Sequence, residues 1–192
     1  MSKSDPTLWQ ADPHTIAKHN ILRAYLNRWM PIVTRTFASR YRYVWYIDGF
    51  SGPGEYKKGE LGSPLVALDA AMNHGHQFPI PVRMTFIEER QDRVDHLRKL
   101  LDARKATIAS AKNVLIESPI QGDCPTVLRN EFAQLKRVPP TLAFLDQFGY
   151  SDVPMELIAT IMSNQSCEVF SYLDFNRLNH TLSDPAKEAA VT

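Results

Sequence analysis

Cysteine is scarce in this chain. Only Cys124 and Cys167 occur, far apart in sequence, which excludes a disulfide framework and a cysteine-built zinc site and fits a reducing compartment. No run of about 18 apolar residues is present, so no membrane span is expected. No apolar core follows a basic start, so no secretory leader is expected either, and a cytoplasmic location is the natural expectation. Charge of one sign is also missing. The 22 Lys and Arg residues face 21 Asp and Glu, for a net charge of +1. No global basic field announces nucleic acid and no acidic excess announces disorder, although a local basic surface remains open. Internal repeats and low-complexity segments are absent. What remains is a chain of 192 residues, 44% hydrophobic, able to bury one good core as one domain.

The hydrophobic pattern alternates between two periods. Ile16, Ile21, Leu22, Tyr25, Leu26, Trp29, Ile32 and Val33 have helical spacing over 14–38, with Pro31 expected to kink or restart the helix. Short apolar runs predict strands at 43–47, 82–87, 114–117, 141–145 and 168–173. Helical patterns at 65–72, 90–105, 125–135 and 154–162 separate them, the first with Ser63 as N-cap and Pro64 after it. Such alternation predicts an α/β fold, Rossmann-like, with a mainly parallel sheet and helices on both faces. Residues 1–13 are expected to be a flexible N-terminus, 14–182 the domain, with 14–40 as a helical lid, and 183–192 a polar tail.

The segment from Tyr46 to Tyr56 is the richest in chemistry. Asp48 ends the first strand, and Gly49, Gly52 and Gly54 follow beside Phe50. Glycine lets a backbone approach a ligand closely. Ligands of open α/β sheets sit at the carboxyl ends of the strands, and that rule gathers Glu88, Asp123 and Asp146 with Asp48. This set suits S-adenosylmethionine. Asp48 can hold the methionine ammonium, Gly52 and Gly54 admit the cofactor, Glu88 can accept both ribose hydroxyls, and Asp123 can accept the adenine amino group. Asp123 can equally be the N-cap of the helix that follows. Phosphate cofactors fit less well: no G-x-x-x-x-G-K-[ST] pattern occurs, and the glycines do not open directly into a helix.

Several motifs together resemble the three-Cys-motif partner protein (TcmP) family. They are Lys18-His19 with Leu22, Tyr25, Leu26, Trp29 and Pro31; Tyr46 through Gly54 with Gly62-Ser63-Pro64; Phe86-Ile87-Glu88; Gly122-Asp123; Phe144 through Tyr150 with Val153-Pro154; and Asn176-Arg177. The resemblance spans about residues 16 to 180. It implies a class I methyltransferase fold, S-adenosylmethionine as cofactor, and methyl transfer to nucleic acid. It also implies a partner protein of the three-Cys-motif type. His19 is expected to be a satisfied structural histidine, the alternative being that Lys18-His19 lies over the cofactor as part of an N-terminal lid. Two departures stand out. The family pattern has Asp-Pro-Phe-Gly where this chain has Asp146-Gln147-Phe148-Gly149. After Leu173 only 19 residues remain, too few for the last strands of a full class I sheet. The C-terminal strands are therefore expected to be missing, as in a minimal variant, a shortened chain or a subunit completed by a partner.

By analogy with the D-P-P-Y-type loop of amino-group DNA methyltransferases, Asp146 is the expected acceptor for a target amine. Phe148 or Tyr150 is then the expected stacking group for a flipped base. No Pro-Cys follows the fourth strand, against cytosine-C5 chemistry. Cys124 has no motif-placed base beside it and is not expected to act as a nucleophile. Lys57 and Lys58 are expected to be a solvated loop, with phosphate contact as the alternative, and Trp29 and Trp45 are expected in the core. Two other functions fit the same residues: a non-catalytic nucleic-acid-binding or assembly subunit, and a metal-dependent nucleotide or nuclease enzyme. No metal site is expected, because four acids on four strand ends suit one long cofactor better than one compact ion.

Overall fold

The computed structural model describes residues 6–147 and 152–172. Among the described residues six helices and six strands follow one another: α1 (Pro13–Phe37), β1 (Val44–Asp48), α2 (Ser63–Met72), β2 (Val82–Glu88), α3 (Gln91–Ala103), α4 (Lys105–Ser110), β3 (Val114–Ile116), β4 (Ile120–Gln121), α5 (Cys124–Ala133), β5 (Thr141–Leu145), α6 (Met155–Met162) and β6 (Cys167–Ser171). The main sheet runs β3-β2-β1-β5-β6, every neighbouring pair parallel, and β4 adds two residues to the far end of β2. The Rossmann-like α/β architecture expected from the alternation is present.

Both faces of the sheet are covered, which is why β1 and β5 are buried at every position and carry unbroken apolar runs. Val44, Tyr46, Met84, Phe86, Leu142 and Phe144 face a core shared with α1, α2 and α3. Trp45, Ile47, Ile87, Ala143 and Leu145 face a second core with α5 and α6. Trp29 and Trp45 are both buried in these cores.

Several boundaries differ from the sequence expectation. Gly62, not Ser63, is the N-cap of α2, so Ser63 opens the helix with Pro64 behind it. The segment after α3 forms a further short helix, α4, and the third strand is broken into β3 and β4. Pro31 lies inside α1 without ending it. Proline withholds the N–H that would reach the carbonyl four residues back, that of Asn27. His74 Nε2 lies 3.1 Å from that oxygen, while His74 Nδ1 accepts from the His76 N–H at 3.2 Å. The two contacts agree on an Nε2–H tautomer that takes up the stranded carbonyl. Among the described residues β6 is one edge of the sheet and β3 the other; residues 173–192, where the missing strands and the polar tail were expected, lie outside them.

Candidate functional site

The chain leaves β1 for β2 and β3 on one side, then returns to place β5 on the other side of β1. The order therefore reverses at the carboxyl end of β1, where open α/β sheets bind ligands. Asp48 stands there with no exposed surface. Its Oδ1 accepts from the Phe50 N–H at 3.3 Å, while Oδ2 has no hydrogen-bond partner. The Ser63 hydroxyl lies close enough to favour the charged carboxylate, but without the geometry of a hydrogen bond to Oδ2. Burial pushes the Asp48 carboxyl up to about 7, with Ser63 and Phe50 pulling it down and the charges of Asp146 and Glu88 adding to the rise.

The glycine loop after Asp48 is stitched to both neighbouring strands. Gly49 N donates to Phe144 O at 3.0 Å and Ser51 N to Ile87 O at 2.9 Å. A Cβ on Gly49 would meet Cys124 Sγ at 2.6 Å and Leu145 Cδ2 at 2.8 Å, so packing excludes any side chain there. Gly54, at φ +89°, turns the chain into a small hairpin closed by the Glu55–Leu61 bridge and by Gly62 N donating to Gly54 O at 2.8 Å. Lys57 and Lys58 are exposed at its tip.

A cleft of about 860 Å³ opens beside this loop. Gly49 and Phe50 wall one side, Glu88 through Arg93 a second, and Gly122, Asp123, Cys124 and Asp152 a third. Glu88 ends β2 and is nearly buried; its Oε1 accepts from the Arg90 N–H at 2.8 Å. Burial raises its pKa, while the Arg90 amide and the Arg93 charge oppose the rise. Asp123 is the N-cap of α5, its Oδ2 accepting from Thr126 N at 3.0 Å, and it also lines the cleft. Cys124 is buried, and burial with the nearby Asp123 and Asp48 charges pushes its thiol up to about 12, so it stays protonated near neutrality. Gly52 and Gly54 shape the loop without lining the cleft.

Asp146, just beyond β5, is not in the cleft wall. It is paired with Lys18 of α1, whose Nζ lies 2.6 and 2.8 Å from the two carboxylate oxygens and 4.7 Å from the centre of the Tyr172 ring. His19 next to it is buried against Tyr56, and burial lowers its pKa against the pull of Asp146. Around the same strand ends, the Tyr46 hydroxyl, the Ser51 hydroxyl and Gln147 Oε1 are buried without hydrogen-bond partners, as Asp48 Oδ2 is. Buried polar atoms are normally satisfied, so these four make this end of the sheet a candidate for polar ligand contact. Phe148 and Tyr150, expected to stack on a base, lie outside the described residues.

Two site residues were not foreseen. Arg93 is almost fully buried, with its guanidinium 4.5 Å over the Trp9 ring. Trp9 also meets Tyr56 edge-on at 5.5 Å, and its carbonyl accepts from Lys57 N at 2.9 Å. Thr7 donates to Asp92 at 2.6 Å. The N-terminal stretch expected to be flexible thus contains an anchored strap along the rim of the cleft. Arg93 lies four residues before Leu97, on the apolar face of α3, so the spacing did carry a signal that this charge is buried.

Among the described residues, no three His, Cys, Asp or Glu side chains converge on a metal position, and no helix is long and apolar enough to cross a membrane.

The fold and the cleft define a Rossmann-like α/β domain with an open cleft at its switch point. No protein-family model matches the chain, and no curated protein does. Among solved structures it is similar to the methyltransferase PaMTH1 of Podospora anserina bound to SAH, at 14% sequence identity and a TM-score of 0.37. The alignment covers 85% of this chain and 63% of that one, so the chain spans less than two thirds of that protein's length.

Proposed function

We propose that the chain binds S-adenosylmethionine and transfers its methyl group to an amino group of a nucleic-acid base. The observation that carries the first half is Asp48: a fully buried carboxylate at the switch point, with one oxygen unpartnered, directly before the two residues that wall a nucleoside-sized cleft. A cationic ligand group at Oδ2 would satisfy the orphan oxygen and bring the carboxyl back to its charged form. Glu88, which takes the Arg90 amide on Oε1 and has the Gly52 amide beside its carboxylate, would offer its remaining acceptor capacity to ribose hydroxyls. Asp123, with Oδ2 committed to the α5 cap, keeps Oδ1 for an adenine amino group. The cofactor supplies a methyl made electrophilic by its sulfonium, so the protein's task is positioning and the exclusion of water.

Asp146 is the acceptor in this reading. Accepting from the target amine would orient its lone pair toward the methyl, and Lys18 would have to release at least one carboxylate oxygen for that contact. The test is transfer of a labelled methyl from S-adenosylmethionine to unmethylated DNA and RNA by wild type and Asp146→Ala. Loss of transfer in the variant, with S-adenosylhomocysteine still bound, supports the assignment; transfer at the wild-type rate contradicts it.

The Lys18–Asp146 pair is also the observation that favours a second reading. A chain in which α1 holds this acid permanently would bind nucleic acid, or a three-Cys-motif partner of the kind the TcmP resemblance implies, without catalysing methylation. Cofactor binding with no transfer to any nucleic acid would select that reading.

A further inference from the structure

The net charge of +1 conceals a strong segregation. From residue 13 to 47 the chain has no Asp or Glu, but carries Lys18, Arg23, Arg28, Arg35, Arg40 and Arg42. Six cations there, against +1 for the whole, leave a net charge of −5 on the remainder. Most of the segment is α1, whose inner stripe of Leu22, Leu26, Trp29, Met30 and Val33 is fixed in the core. The cations therefore project from the outer side. Lys18, Arg28 and Arg35 fall on one stripe with Ile21, Tyr25 and Ile32, at alternating spacings of three and four. Arg28, Arg35, Arg40 and Arg42 are exposed, and among the described residues none of them, nor Arg23, has an ion-pair partner.

We propose that the outer face of α1 is the docking surface for the phosphate backbone of a nucleic acid, led along the helix toward Asp146. The proposal rests on the nucleic-acid reading of the substrate above. Lys18, already on Asp146, stands at one end of the basic stripe and Arg35 at the other. Seventeen residues of helix separate them, about 26 Å at the usual rise, which matches roughly seven phosphates of one strand. Arginine suits this role because its planar fork pairs with phosphate oxygens and stacks on bases. Tyr25, 38% exposed, lies within the stripe as a ring a base can meet. Among the described residues Glu168 of β6 borders the middle of the stripe, already engaged by the Tyr25 hydroxyl and by Trp29 Nε1, and Asp146 stands at its Lys18 end. An anionic membrane is a poorer match. Its binding requires an apolar face free to insert, and the apolar face of α1 is committed to the core, leaving Ile21 and Ile32 isolated among charges.

The test is fluorescence anisotropy of labelled single-stranded RNA, single-stranded DNA and duplex DNA, about twenty nucleotides long, across a salt series. Wild type is compared with Arg28→Gln/Arg35→Gln, two exposed positions where glutamine preserves helix propensity. The expected result is a variant that binds about tenfold more weakly, with a log–log salt slope shallower by about 1.4 to 1.8. S-adenosylhomocysteine affinity, measured on the same preparations, should be unchanged. Equal binding by the variant overturns the surface while leaving a nucleic-acid substrate standing. No binding of any nucleic acid by wild type overturns both the surface and the nucleic-acid target, and the S-adenosylhomocysteine titration keeps that failure separate from the cofactor reading. Polyglutamate or phosphatidylserine vesicles binding more tightly than any nucleic acid overturns the proposal in favour of an acidic protein or a lipid surface.

Discussion

A carboxylate buried as completely as Asp48 couples ligand binding to pH. Its folded-state pKa of about 7 lies above the ordinary value of 3.8. The folded protein therefore holds this proton more tightly than the unfolded chain does. The resulting stabilisation is fully present below pH 4 and is lost as pH rises through 7. About three units correspond to something of order 4 kcal/mol. Asp48→Asn removes the titrating group, so its stability should change less than that of wild type between pH 5 and 8, and chemical denaturation at the two values measures the difference. Glu88 shifts in the same direction from the same cause and remains in both proteins. At this scale the sequence showed the acids but not their states. Asp48 and Glu88 were legible because each closes an apolar strand. The occupation of Asp146 by Lys18 was not, because it joins residues 128 apart in the chain. Nor was the cap made by Asp123 separable from a ligand role, since the cap engages only one of the carboxylate's two oxygens.

The elements that matter most at the site are α1 and the strap before it. α1 packs its inner stripe on the sheet and reaches across the strand ends through Lys18. The Lys18 and Asp146 side chains are 21% and 18% exposed, between the surface pairs that contribute little and the buried ones whose disruption is severe. A double-mutant cycle of Lys18→Met and Asp146→Asn should give a coupling energy of about 1 to 3 kcal/mol, read from denaturation midpoints at constant slope. Coupling near zero would mean that the pair does not hold α1 over the site. The helix and strand periods made most elements legible in advance, and β5 was placed at its observed ends. The misses are local. β4 is only two residues long and exists because Ile120 and Gln121 find a free stretch of β2, a tertiary pairing with no periodic trace. The strap is held by Trp9 and by the Thr7 hydrogen bond to Asp92, too little for a pattern to register.

At the scale of the whole molecule, charge and fold divide the labour. Four acids stand at the carboxyl ends of the strands, where one is fully buried and another nearly so, and α1 carries four cations and no acid. That arrangement suits a cationic cofactor inside and a polyanion outside, although the chain as a whole is close to neutral. Composition alone pointed away from nucleic acid because it averages over the two regions; the segregation emerges only when the acid-free stretch is recognised as one exposed helix. The central claim is that Asp48 and the adjoining cleft form a binding site for S-adenosylmethionine. Its most direct test is calorimetric titration of S-adenosylhomocysteine into wild type and Asp48→Ala at pH 6 and pH 8. The account predicts micromolar binding by wild type, tighter at pH 8 as Asp48 ionises, and a loss of at least tenfold in the variant. Wild-type binding that is absent, or that Asp48→Ala leaves unchanged, would contradict it.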